Sequence, residues 1–256
     1  NRVALEQQLD EILPLYASWG IAGIKLGFID GRSRAGINFV HEVVQRAAEH
    51  RLMVDVHDNY RPSGVSHTYP NLLTQEGVRG NEHYPGAEEQ TILPFTRLLT
   101  GAADTTFLYY TGDLNVTRAH QLAAQIVIYS PLRFVLWYDS PVHYQGEQEI
   151  DLMGALPTVW DETRFLNGAI GDFVTVARRK EDAWFVGTLT DATARTRTIS
   201  LSFLEPDQRY RARIYSDATP TAVTVTEMFV TAETKIDAVL LPSGGHVLWL
   251  VPALPQ

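Results

Sequence analysis

The chain has no cysteine. Disulfides, thiolate nucleophiles and thiolate-held metals are thereby excluded, while cytoplasm and periplasm both remain open. Long hydrophobic runs are also missing, and none approaches the roughly 20 apolar residues that cross a bilayer. Basic residues are in the minority, 21 Lys and Arg against 30 Asp and Glu, which leaves a formal net charge of -9. A nucleic-acid backbone calls for a basic stripe that neutralises phosphates, so neither nucleic acid nor membrane is an expected partner, whereas acidic clusters suit a hard cation. An initiator Met and a charged-then-apolar leader are absent as well, so the sequence reads as one with a cut N-terminal side.

What is present is enough chain, 256 residues, for one large domain or two smaller ones. Leu5, Leu9, Ile12, Leu13 and Tyr16 recur at helical spacing and predict a helix over 3–19, stopped by Gly20. A strand over 21–29, an amphipathic helix over 37–50 and a strand over 52–57 follow, an alternation that predicts a parallel α/β sheet or barrel. Next come a polar, glycine-containing stretch at 76–86, helices around 92–99 and over 116–129, and an apolar run at 134–138. The texture changes near Trp160, and from Phe173 onward short β-type runs separated by turn residues predict an antiparallel sandwich. The chain therefore divides into an α/β part, 1–160, and an all-β part, 161–256. A complete (β/α)8 barrel takes about 250 residues; if the first part belongs to a barrel, its first strands lie elsewhere.

In a parallel barrel, chemistry gathers just past the strands' C-terminal ends. Those positions are Gly27 and Asp30, then His57, Asp58 and Asn59, then Glu76, Arg79, Asn81, Glu82 and His83 in the polar stretch. Gly27 falls inside the expected strand, where a glycine costs packing and suggests a close approach. Glu76 and Glu82 would stand ~20 Å apart in an extended run, but Gly77 and Gly80 between them permit a bend that brings both to Asp58. Converging carboxylates suit Ca²⁺, which takes oxygen ligands, or an acid held at the leaving oxygen of a glycoside; each Glu taken singly reads as a solvated surface charge. Lys25 is either a substrate contact or the partner of Asp30 or another carboxylate inside the barrel. His57 either bonds a hydroxyl, positions Asp58 or is a satisfied core histidine. His67 and Tyr69 shape a loop. The segment Trp160-Asp161-Glu162-Thr163 is expected to pack between domains and cap a helix, and Asp191 and Asp217 to form turns.

Five ordered motifs, Lys25-Leu26-Gly27-Phe28-Ile29-Asp30, His57 to Gly64, Thr68-Tyr69-Pro70-Asn71, Glu76 to Glu82 and Leu93-Pro94-Phe95-Thr96-Arg97, together resemble glycoside hydrolase family 97. The similarity continues through Ser130-Pro131-Leu132, Pro157 to Thr163 and Ala177 to Lys180, and so covers essentially the whole chain. The resemblance implies a bacterial, calcium-binding α-glucosidase or α-galactosidase with an N-terminal β-supersandwich, a (β/α)8 barrel and a C-terminal β-sandwich. Only the later barrel and the last part correspond to this sequence, which makes the N-terminal portion an expected partner. By resemblance Glu82 matches the general acid, and Asp58, Glu76 and Glu82 match calcium-associated carboxylates. His57, Lys25 and Arg79 are the expected substrate contacts. Gly27 stands where the retaining branch carries an Asp nucleophile and the inverting branch a glycine; Asp58 stands where the inverting branch usually has Glu, and Asp30 lies past the nucleophile's position. The resemblance thus implies a calcium-dependent, exo-acting α-glucosidase that inverts, with an oligosaccharide substrate and a periplasmic or secreted location. The alternatives are an α-galactosidase of the same family and a carbohydrate-binding or structural fragment.

Overall fold

Helical apolar spacing over 3–19 produces two helices, α1 (Arg2–Glu6) and α2 (Leu9–Ser18), separated by Gln7 and Gln8. A computed structural model describes residues 2–58, 60–110, 114–135 and 140–253. Leu9 and Leu13 of α2, one turn apart, are buried against Phe39, Val40, Val43 and Val44 of α3 (Arg34–Glu49). That helix starts ahead of the apolar pattern because the Ser33 hydroxyl caps it, accepting a hydrogen bond from Gly36 N at 3.1 Å.

Strands β1 (Gly23–Leu26), β2 (Met53–Val56) and β3 (Leu72–Gln75) pair in parallel, with α3 as the first crossover and the short α4 (Val65–Thr68) in the second. Strand β1 is shorter than its apolar run. Gly27 therefore lies just past the strand, not inside it, and Phe28 adopts φ 57° with its ring 99% exposed. The last rung is His57 N donating to the Leu26 carbonyl at 2.8 Å, and the ladder ends beyond it because the Asp58 carboxylate takes Phe28 N–H.

Helix α5 (Ala87–Ile92) precedes two 3-10 turns, Leu93–Phe95 and Arg97–Thr100, where one helix was expected; Pro94 supplies no N–H to continue it. Then come β4 (Thr106–Phe107), α6 (Arg118–Val127), β5 (Phe134–Val135) and α7 (Ile150–Ala155). The rest of the apolar run at 134–138 lies outside the described residues. A parallel bridge from Gln75 to Ala103 joins β3 to the approach of β4, and β4 pairs in parallel with β5. Five parallel strands thus follow one another in chain order.

The remainder is antiparallel. Strands β6 (Glu162–Ala169), β7 (Phe173–Lys180), β8 (Ala183–Thr190), β9 (Arg195–Ser200), β10 (Tyr210–Thr219), β11 (Ala222–Val230), β12 (Lys235–Leu240) and β13 (Gly245–Pro252) make a six-stranded sheet, ordered β11-β10-β13-β8-β7-β6, and a β12-β9 pair. Alternation sends Trp184, Val186, Leu248 and Leu250 toward Ile199, Ile236 and Ala238 of the pair, a sandwich core. The opposite side chains, Val174, Val176, Phe185 and Val247, pack on Ala123, Ile126 and Val127 of α6. The boundary at 160/161 marks a change of texture, while one core crosses it.

Two glycines let α6 lie directly on the sheet. A Cβ on Gly187 would stand 2.7 Å from Ala123 O, and one on Gly245 would overlap the His120 backbone. Gly245→Ala is expected to lower stability by about 1–3 kcal/mol, the usual range for overpacking. Urea midpoints of the two proteins check this; an unchanged midpoint would show that α6 shifts without cost.

Trp160 packs edge-on against Phe185, with centroids 5.4 Å apart, as interdomain packing required. Asp161 caps no helix: it accepts from Glu181 N at 2.7 Å and pairs with Lys180, closing the β7–β8 hairpin. Asp191 holds a turn through Thr193 N at 2.7 Å. Asp217 does not; it sits on β10 and accepts from Thr117 Oγ1 (2.6 Å), Leu241 N (3.1 Å) and Gly245 N (3.1 Å), tying the α6 N-cap to the turn before β13. Among the described residues no helix is long and apolar enough to cross a membrane.

Candidate active site

Parallel register sets the site. Leu26 lies opposite Val56, and Val56 opposite Gln75, so the chain leaves β1, β2 and β3 at one level, with Gly27, His57 and Glu76 side by side. Glu76 N donates to Val56 O at 2.8 Å, fixing that level. Gly77 then turns the chain at φ 51°, and a 3-10 turn, Asn81–His83, returns Glu82 to the cluster. A Cβ on Gly80 would overlap the Glu82 carboxylate, so both intervening glycines are used as their spacing suggested.

His57 is the hub. Its Nε2 lies 3.4 Å from Glu76 Oε1 and 3.4 Å from Glu82 Oε1. Ligand atoms of His57, Asp58 and Glu76 all lie within 4.8 Å of one another. Asp58 sits at φ 71°, with its carboxylate turned toward β1: a Cβ built on Gly27 would find Asp58 Oδ2 at 3.9 Å and nothing nearer. The end of β1 thus opens a gap bordered by a carboxylate.

Beneath this layer are two acids that sequence reasoning passed over. Asp104 Oδ2 accepts from His57 Nδ1 at 2.7 Å and from Lys25 Nζ at 2.9 Å, and Asp55 Oδ2 lies 3.5 Å from the same ammonium. Lys25 Nζ also stands 3.5 Å from the centroid of the Phe134 ring. Lys25 is therefore paired with carboxylates of the parallel sheet, and Asp30 is not one of them; Asp30 is exposed and bonds within its own turn to Arg32 N. The signal for Asp55 was available, a charge in the middle of Met53-Val54-Asp55-Val56. Arg79 does not join the cluster. Its guanidinium forks over Glu89, with Nε at 2.9 and 3.1 Å from the two carboxylate oxygens, on an exposed surface.

A family model described as glycoside hydrolase 97 matches residues 1–78, and one described as glycosyl-hydrolase 97 C-terminal, oligomerisation, matches residues 159–251. The chain belongs to glycoside hydrolase family 97. This family 97 chain is 32% identical over 235 residues to a retaining alpha-galactosidase of Bacteroides thetaiotaomicron, covering 84% of the chain and 35% of that protein. It is 29% identical to a probable retaining alpha-galactosidase of Streptomyces bingchenggensis, over 76% of the chain and 31% of that protein. A family 97 enzyme from Pseudoalteromonas sp. strain K8, solved in complex with panose, superposes with a TM-score of 0.89 at 28% identity, over 99% of the chain and 46% of that structure. The same enzyme in complex with acarbose gives 0.87 at 29% identity, over 98% of the chain and 45% of that structure. The family 97 chain thus spans about a third of the length of these curated relatives and under half of these solved structures.

The charges in this family 97 site are set by burial and by His57. Burial pushes Glu76 up to about 7, against the pull of His57. Burial disfavours the His57 cation, but the hydrogen bonds to Asp104 and Glu82 and the charge of Glu76 outweigh it and raise His57 to about 10. For Glu82 burial works upward, yet the His57 hydrogen bond wins and holds the carboxyl below its ordinary value. Burial and the neighbouring Asp104 push Asp55 up to about 7; Asp104 itself, despite its burial, is held low by His57 and Lys25. Near neutrality the cluster therefore pairs the His57 cation with ionised Asp104 and Glu82, while Glu76 and Asp55 sit near half-protonation.

Proposed function

We propose that this chain carries the catalytic carboxylates of a calcium-dependent, exo-acting glycosidase that hydrolyses non-reducing terminal α-glucosides with inversion. The observation that supports inversion is the gap at Gly27. Retention places a nucleophilic carboxylate about 5–5.5 Å from the acid, whereas inversion leaves about 6.5–9.5 Å for a water. Here the position past β1 has no side chain, and Asp58 Oδ2 borders the space. Asp58 is then the base that takes a proton from the water.

Glu82 is the general acid. Ionised in the free site, it must take up a proton before it acts, and one stands within reach on His57, whose Nε2 lies 3.4 Å from Glu82 Oε1. The donor set fits a hard cation: Glu76 Oε1 and Glu82 Oε2 are buried without hydrogen-bond partners, and Asp58 stands beside Glu76. Asp58, Glu76 and Glu82 would hold Ca²⁺, which when bound orients the sugar and stabilises developing charge. The five parallel strands are read as the later part of a (β/α)8 barrel, in keeping with active-site residues at their C-terminal ends. The panose and acarbose complexes of the Pseudoalteromonas enzyme favour an oligosaccharide ligand. A periplasmic or secreted location goes with this reading.

A second reading, a retaining α-galactosidase, is favoured by the names of the two curated relatives. The anomer first released from p-nitrophenyl α-glucoside, followed by proton NMR, separates the two. β-Glucose that ceases on chelation is expected. α-Glucose would overturn inversion, and faster release from the paired α-galactoside would overturn the substrate.

A further inference from the structure

The Lys25 ammonium and His57 Nδ1 converge on a residue outside the layer of carboxylates assigned to chemistry. We propose that Asp104 is a positioning residue for the active site: it fixes the His57 ring so that Nε2 faces Glu76 and Glu82 at once, with Lys25 as its counter-charge. This inference rests on the reading of Glu76 and Glu82 given above.

The geometry is specific. Asp104 is 0% exposed and sits just ahead of β4, at the far side of β3 from His57. Its backbone is fixed there by Asp104 N donating to Gln75 O at 3.0 Å and by Ala103 N donating to Tyr129 O at 2.9 Å. A single oxygen, Oδ2, then accepts from both His57 Nδ1 and Lys25 Nζ, at 2.7 and 2.9 Å. An imidazole whose Nδ1–H is held by a carboxylate has its tautomer and ring plane determined, leaving Nε2 pointed in one direction. Held so, Nε2 stands 3.4 Å from each of two carboxylates. Without Asp104 the ring is free to rotate about its side-chain bonds, and Glu82 loses the contact that sets its place.

The loop on which Asp104 stands is tied to the Glu76 loop by one guanidinium. Arg97 Nη2 donates to Gln75 O (2.7 Å), Glu76 O (3.1 Å) and Ala102 O (2.9 Å). Asp104 and Glu76 are thus held in one frame, and His57 spans it. Partners that orient a first layer of functional groups typically contribute 10- to 100-fold in activity.

The test compares Asp104→Ala, Asp104→Asn and the unaltered protein that carries this chain, by steady-state kinetics and by NMR of ¹⁵N-labelled histidine, with His57 identified by its loss in His57→Gln. Asp104→Ala is expected to lower kcat about 10- to 100-fold with KM changed little, and to abolish the downfield Nδ1–H resonance of His57. Asp104→Asn keeps an acceptor and should recover most of kcat, with the resonance moved upfield. An unchanged His57 resonance in either variant overturns the proposal, whatever happens to kcat. Should the alanine variant fail to fold, the asparagine variant alone decides by that resonance. Failure of the carboxylate roles would appear separately, as full turnover in Glu82→Gln with the His57 resonance still dependent on Asp104.

Discussion

Glu82→Gln will lower kcat by roughly 10²- to 10⁴-fold on an α-glucoside whose leaving group is a sugar, the range general acid catalysis supplies. Glutamine matches the shape of the side chain and cannot deliver a proton to the departing oxygen. A nitrophenolate leaves without much help, so the loss on the aryl glycoside should be smaller by at least about tenfold. This contrast separates proton donation from a role confined to holding a cation, because weakened calcium binding would depress both substrates alike. Sugar binding should persist, read as an unchanged dissociation constant for an unreactive oligosaccharide. Equal losses on both substrates would remove Glu82 as the acid, and unchanged turnover would remove it from the chemistry altogether.

Mild acid is expected to weaken the fold through two histidines that are not part of the carboxylate cluster. His120 on α6 and His246 on β13 are buried, and burial lowers both to about 4. His120 has Nδ1 at 3.1 Å from Gly244 O and Nε2 at 3.0 Å from the Gln90 side chain, at the junction of α5, α6 and the edge of β13. The unfolded chain takes up these protons near the ordinary value of about 6.5, well before the folded one does. Stability is therefore full above that value and is lost as pH falls toward 4, by up to about 3 kcal/mol for each ring. Asp55 and Glu76, raised to about 7, act in the opposite sense, since the folded protein binds their protons first as pH falls. The double variant His120→Gln, His246→Gln cancels that common contribution. It should be less stable than the parent near pH 7.5 and lose less on acidification, with the two unfolding curves converging toward pH 4. Parallel curves would show that neither ring is held neutral.

Much of the fold could be read from local pattern. The periods of α3 and α6 identified both helices, and the alternating runs beyond Phe173 identified the sandwich. Gly77 and Gly80 pointed to the bend that brings Glu82 back, because a backbone bend leaves a local trace. What escaped was decided at a distance. The apolar run through Phe28 and Ile29 looks like continuing strand, and only the Asp58 side chain, 30 residues on, takes Phe28 N–H away from the ladder. Asp104 meets His57 across 47 residues and precedes a strand of two residues, too short to carry a pattern. Arg79 looked like a site residue because it stands among the motif carboxylates, yet Glu89 on α5 claims it. Asp217 looked like a turn residue from composition alone, and its partners lie on α6 and the turn before β13.

The six-stranded sheet carries the β9–β12 pair on one face and α6 on the other, with Gly187 and Gly245 seating the helix backbone. This arrangement limits how the family's parts can be recombined. A chimera joined at the change in texture near Trp160 would pair one relative's helix with another's sheet, and any side chain in place of either glycine would unseat it. The transferable cassette has a discontinuous outline: the strands beyond Trp160 travel intact only in company with residues 118–127.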